Sequence, residues 1–187
     1  MTAILDLPGV RQRISRLSVE EYHRLDEYNE NGKRTELIRG FVIEKMSKSP
    51  LHATIASRLF KLLLTQVPAG FTARKEEPLS LHDSEPEPDI SVVHGSDRDF
   101  VTAHPTGASL VVEIAVSSVE LDRELVSLYA EARVEEYWIV LGQERAIEVY
   151  RRPENGAYQA MHKIADAGVL LCSSVPGLSV TLNEVFP

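Results

Sequence analysis

From residue 35 onward the chain alternates short β-branched runs with stretches whose apolar residues recur every three or four positions. That is the signature of strands interleaved with amphipathic helices. Phe71 to Leu81, broken by Pro78, then Asp89 to His94, Leu110 to Val116 and Tyr137 to Leu141 read as strands, the last without alternation and so covered on both faces. Ser49-Pro50 supplies a cap and an N1 proline, and His52, Ile55, Ala56, Leu59 and Leu63 line one face of the helix that follows. Ser117 with Glu120 reads as a capping box opening a second helix, with Leu121, Leu125, Leu128 and Ala132 as its buried stripe. Leu110–Val116, this helix and Tyr137–Leu141 in succession predict a right-handed βαβ unit.

The flanks are simpler. Residues up to about Arg16 have no period and read as an arm. Ser18 with Glu21 is a capping box for a helix over Val19, Tyr22 and Leu25 that ends near Tyr28, followed by a turn at Asn29-Glu30-Asn31-Gly32. Thr35 to Met46 reads as a hairpin turning at Arg39-Gly40. Ala146–Tyr150, Ala157–Ile164 and Val169–Leu171 form a strand meander with a turn at Asn155-Gly156, and Pro176-Gly177 with Leu178–Val185 finish the chain. The expected architecture is α/β: a mixed β-sheet flanked by helices, with an N-terminal helix and hairpin and a C-terminal strand meander. Residues 1–16 are an arm and 17–187 one domain.

Composition narrows the function. At 187 residues one domain can bury a sizeable core without staples. A single cysteine, Cys172, excludes an internal disulfide and a cysteine-only metal cluster. No signal-like segment or bilayer-length apolar run occurs, so a cytoplasmic location and no membrane partner are expected. A net charge of −8 argues against coating nucleic acid by bulk electrostatics, although an acidic metal site would carry that sign by construction.

Two strands break their own pattern. Asp89 stands at the head of Ile90-Ser91-Val92-Val93, and Glu113 interrupts Leu110-Val111-Val112-Glu113-Ile114-Ala115-Val116. Burying a carboxylate is costly unless a cation, a partner or a shifted pKa compensates. Side by side, the two strands would present Asp89 and Glu113 to a divalent cation. The plainer alternative leaves each acid at a strand end, facing water or capping a loop. His52 sits at a helix N-terminus on the inward face, where a satisfied core or cap histidine is the more ordinary reading. No serine-nucleophile elbow, Gly-rich phosphate loop or paired HExxH helix is present.

In order along the chain stand Glu36-Leu37-Ile38-Arg39-Gly40, Met46-Ser47 with His52, Glu87-Pro88-Asp89-Ile90, Val111-Val112-Glu113-Ile114, and Tyr129 with Glu136-Tyr137-Trp138-Ile139-Val140. From about Leu17 to Phe186 this series resembles the Uma2 family of bacterial restriction-endonuclease-like proteins, which looks like a branch of the PD-(D/E)xK nuclease superfamily. The resemblance implies a restriction-endonuclease-like fold and Mg²⁺- or Mn²⁺-dependent hydrolysis of phosphodiester bonds in DNA. It assigns Glu36, Asp89 and Glu113 as metal-holding acids, raises the standing of His52, and suggests a homodimer by analogy of fold. One departure stands out: Ala115 occupies the place of the motif lysine, and the following helix has no lysine ahead of Tyr129. Arg123 is the nearest cation, able to hold a water or stabilise phosphorane charge but not to act as base. An ordinary salt-bridging role for Arg123 is the alternative, and Lys75 on a neighbouring strand is another cation within conceivable reach. The competing reading of the whole chain is a catalytically degenerate nuclease fold serving as a nucleic-acid-binding or assembly module.

Overall fold

The computed structural model describes residues 7–11, 13–26, 32–165 and 167–187, and its chain divides into two units. The first comprises Met1–Lys45 with His82–Glu85. It holds α1 (Pro8–Arg11), α2 (Val19–Asp26) and the antiparallel hairpin of β1 (Thr35–Ile38) and β2 (Phe41–Glu44). The Ser18/Glu21 box forms as its sequence suggests: Glu21 N donates to Ser18 Oγ at 3.2 Å and Ser18 N donates to Glu21 Oε2 at 2.8 Å. Arg39 and Gly40 make the two-residue turn with φ of 50° and 79°. Gly40 is needed for a second reason, since a β-carbon there would lie 2.5 Å from Arg16 Cβ. The expected helix end at Tyr28 and the turn over Asn29–Asn31 lie outside the described residues.

The second unit, Met46–Leu81 with Pro86–Pro187, is built on a six-stranded mixed sheet. In chain order it contains α3 (Pro50–Leu64), β3 (Phe71–Lys75), β4 (Ile90–His94), β5 (Leu110–Ala115), α4 (Val119–Glu131), β6 (Glu136–Leu141), β7 (Ala146–Glu154), β8 (Ala157–Ala165), β9 (Val169–Leu171), β10 (Ser179–Thr181) and α5 (Leu182–Val185). The sheet order is β3-β4-β5-β6-β7-β8, and β5 and β6, joined through α4, are its parallel pair. β9 and β10 form a separate antiparallel pair.

Each face of the sheet has its own cover. Ile55, Leu59 and Leu63 of α3 are fully buried against Ile90, Val92, Val112, Ile114, Trp138 and Val140, in a core closed by Leu170, Val180 and Phe186. Each such side chain contributes roughly 1.5–3 kcal/mol by leaving water, and Leu59→Ala would cost about 2–5 kcal/mol. α4 covers the opposite face, where Tyr129 packs on Tyr137 with ring centroids 4.8 Å apart.

Local details differ from the sequence expectation, among them Val169–Leu171, which leaves the expected meander to pair with β10. The N-cap of α4 is Ser118 instead of Ser117, and the Ser118 hydroxyl donates to Asp122 Oδ2 at 2.7 Å rather than taking part in a box with Glu120. The buried stripe accordingly turns to Asp122, Leu125, Leu128 and Tyr129, leaving Leu121 42 % exposed. β3 also stops early, because Glu76 takes a left-handed φ of 54° two residues before Pro78.

Candidate active site around Asp89 and Glu113

Alternation along β4 and β5 decides where the acids point. Ile90 and Val92 of β4, and Val112 and Ile114 of β5, face α3. Asp89 and Glu113 therefore belong to the other set of positions. The antiparallel register pairs Ile90 with Val112, which brings the start of β4 beside Glu113 and Ile114. There the acids close the end of the ladder with their side chains. Asp89 N donates to Glu113 Oε2 at 3.2 Å, and Ile114 N donates to Asp89 Oδ2 at 2.9 Å. From the α4 layer, the fully buried Tyr129 donates its hydroxyl to Glu113 Oε1 at 3.0 Å.

Asp89 lies just off the end of its strand, within reach of the α3 N-terminus. Ser49 caps that helix, accepting from His52 N at 3.2 Å, and Pro50 fixes its first turn. The cap aims His52 so that its Nε2 lies 2.9 Å from Asp89 Oδ2. An ionised Asp89 can only accept, which puts the proton on Nε2, and Nδ1 is buried without a protein partner. Immediately before the cap, Lys48 Nζ donates to Asp89 Oδ1 at 2.8 Å and sits 3.1 Å from Glu76 Oε1. Lys75 Nζ approaches the same Glu76 oxygen at 3.3 Å.

The electrostatics follow from these partners. Burial alone would raise the Asp89 pKa, but the hydrogen bonds and charges of His52 and Lys48 outweigh it and hold the carboxyl down to about 2. For Lys48 burial works against the ammonium, and the bonds to Asp89 and Glu76 overcome it, raising its pKa. The result is a half-enclosed cluster of carboxylates and cations, with Asp89, His52 and Lys48 side chains 10 %, 13 % and 24 % exposed.

Of the residues singled out from sequence, Asp89, Glu113 and His52 come together here. Glu36 lies on β1 of the first unit, opposite Ile43, with Lys45 Nζ 3.5 Å from its Oε2. Arg123 takes another partner: its Nε donates to Glu148 Oε2 on β7 at 3.2 Å, and its other nitrogen bonds Oε1. The register runs Glu113, Ile139, Glu148 across three strands, so Glu148 lies about 10 Å along the sheet from Glu113. Lys48 and Glu76 were not anticipated. The tyrosine of the motif series, Tyr129, had no chemical role until its bond to Glu113 was seen. Among the described residues, no group of three or more His, Cys, Asp or Glu side chains is arranged to hold a metal ion. Among them, too, no helix is long and apolar enough to cross a membrane.

Fold and site together define a mixed α/β protein with an acid pair where the ladder between β4 and β5 ends. The same fold occurs in a crystal structure described as a putative nuclease belonging to DUF820 from Anabaena variabilis ATCC 29413. It matches with a TM-score of 0.75 at 18 % identity, covering 91 % of this chain and 97 % of that one. A family model, Uma2, described as putative restriction endonuclease, matches residues 19–183, and the chain belongs to that family. Comparison with curated proteins finds no match.

Proposed function

We propose that the protein is a Mg²⁺- or Mn²⁺-dependent endonuclease that hydrolyses phosphodiester bonds in DNA. The observation that carries this reading is the Asp89–Glu113 pair, two carboxylates fixed to each other's strand and flanked by His52 and Lys48. Their donor chemistry suits the ion, because Mg²⁺ characteristically takes one or two carboxylates and completes its shell with water and substrate phosphate. A closed cage of three protein ligands is not required for that mode of binding. Bound there, the ion supplies the Lewis acidity that activates a water and neutralises phosphate charge.

The chain's own residues do the rest. Ile114 N and His52 Nε2 orient Asp89 through Oδ2, and Tyr129 orients Glu113, so both acids meet the substrate without reorganising. Asp89, held ionised far below neutral pH, offers a full negative charge at any working pH. Glu36 enters as a third acid on the resemblance of its motif alone, as does a homodimer that would cut two strands.

Supercoiled plasmid incubated with the protein and either ion should be nicked or linearised, and Glu113→Gln should abolish the reaction. Equal conversion by the variant, or none by the native chain, overturns the proposal. A second reading is favoured by Lys48, which already places a cation on Asp89 Oδ1: a degenerate nuclease fold that binds nucleic acid without cutting it. That reading expects retained DNA binding, no cleavage, and no rise in melting temperature with Mn²⁺.

A further inference from the structure

We propose that Lys48 provides the ammonium that the nuclease motif elsewhere carries two residues after the second acid, and that it acts on the phosphate being attacked. The inference rests on the nuclease reading and deepens it by naming the residue that fills a vacant role. In this chain the motif position is Ala115, a buried methyl that offers no charge. Arg123 is committed to Glu148, about two strand spacings away. Lys75 reaches the cluster at Glu76, whereas Lys48 sits directly on Asp89 Oδ1, at 2.8 Å.

The location of Lys48 matches the task. It directly precedes the Ser49-Pro50 cap, so its backbone is positioned by the start of α3 while its four-carbon stem stays outside the helix. At 24 % side-chain exposure the ammonium is neither locked in the core nor free in solvent. Glu76, whose left-handed φ ends β3, anchors it from the other side, 3.1 Å away. Substrate phosphate arriving beside Asp89 would thus meet a positive charge already at the site.

In the reaction the water oxygen bonds to phosphorus and gives its proton to solvent. The P–O bond to the leaving sugar oxygen breaks with its electron pair, and that oxygen takes a proton. Lys48 remains protonated throughout. Its ammonium stabilises the extra charge on the non-bridging oxygens of the five-coordinate phosphorus, an effect greater in the transition state than in the ground state.

The test compares full-length native chain, Lys48→Met and Lys48→Arg in plasmid cleavage with Mn²⁺, alongside Mn²⁺ titration by calorimetry without DNA. Lys48→Met is expected to lower kcat by ~100-fold with KM little changed, as when one preorganised donor is lost, and Lys48→Arg to recover part of it. Lys48→Met should also bind Mn²⁺ at least as tightly as the native chain, because a competing cation has left Asp89. Cleavage by Lys48→Met within about threefold of native overturns the assignment while leaving the nuclease reading standing. Loss of Mn²⁺ binding in Lys48→Met overturns it as well, by showing that the lysine only holds the acids in place. A native chain that binds Mn²⁺ but never cleaves takes down both readings.

Discussion

Two carboxylate sites share the central strands of this sheet and could hardly be treated more differently. Glu136, at the start of β6, is fully buried, and fixed donors surround it. Trp138 Nε1 and an Arg151 nitrogen reach Oε1 at 2.7 and 2.8 Å, while Ser173 N and Oγ reach Oε2 at 2.7 and 2.6 Å. Burial pushes its pKa up, yet Arg151, Ser173 and Trp138 outweigh that and lower it. Asp89 is also held low, but its partners include an ammonium on a flexible stem and an imidazole. The contrast separates two uses of a costly charge. Each acid has a backbone donor and one long-stemmed cation. But Glu136, fully buried with donors on both oxygens, ties elements together, whereas Asp89, its side chain 10 % exposed, can exchange the Lys48 ammonium for an ion or a phosphate.

The largest effect should follow from breaking the structural acid. Glu136→Ala removes the hub joining β6, β7 and the Ser173 turn and strands Arg151, whose Nε is already buried without a partner. Urea denaturation should show a loss of about 3–5 kcal/mol. The folded fraction should still cleave at the native rate, which would confine Glu136 to stability.

Glu113→Gln should give the reverse. The amide oxygen can still accept from Tyr129 or Asp89 N, so the stability loss should stay within about 1 kcal/mol. Cleavage should nevertheless fall at least ~100-fold, about 2.7 kcal/mol of barrier, because the charge is gone. A large drop in stability with cleavage preserved would make Glu113 a second Glu136 and erase the distinction.

Acid titration sharpens the comparison further. Asp89 has a folded pKa of about 2 against an ordinary 3.8, so its contribution is complete above about pH 4 and is lost as pH falls through about 2. The contribution is worth about 2 kcal/mol. In urea melts the gap between native chain and Asp89→Asn should be constant above pH 5 and narrow below pH 4. A gap independent of pH would mean that His52 and Lys48 do not stabilise the Asp89 charge.

Much of this was legible because the signals are local. Ser18 with Glu21, the Ser49-Pro50 step, and Arg39-Gly40 between strands each specify their geometry within a few residues, whereas the same spacing at Ser117 and Glu120 gave way to a cap at Ser118. An acid inside a β-branched run likewise announced Asp89 and Glu113. Features set by distant partners were not legible. Glu136 stood in the motif series as part of a central strand, with nothing nearby to say that Ser173, 37 positions later, would supply two of its donors. Lys48 carried no signal in the sequence, because nothing local says that its stem reaches Asp89, 41 positions on. The stripe of α4 turned by one position for a related reason. Burying Tyr129 over Tyr137 and under Glu113 outweighed burying Leu121.

Arg123 gives the smallest and most discriminating prediction. From sequence it was the cation nearest the acids, yet it is 48 % exposed and bound to Glu148, whose side chain is 3 % exposed. The guanidinium lowers the Glu148 pKa, and Tyr150 also donates to that carboxylate at 2.9 Å, so removing the arginine does not leave it bare. Arg123→Ala should therefore cost about 1–2 kcal/mol, above the usual worth of an exposed ion pair because Glu148 is buried but below that of a charge left bare. Its metal-dependent cleavage should match the native chain, unlike that of Lys48→Met. A loss of cleavage equal to that of Lys48→Met would mean that Arg123 leaves Glu148 when substrate binds, and would move the missing positive charge from the α3 cap to α4.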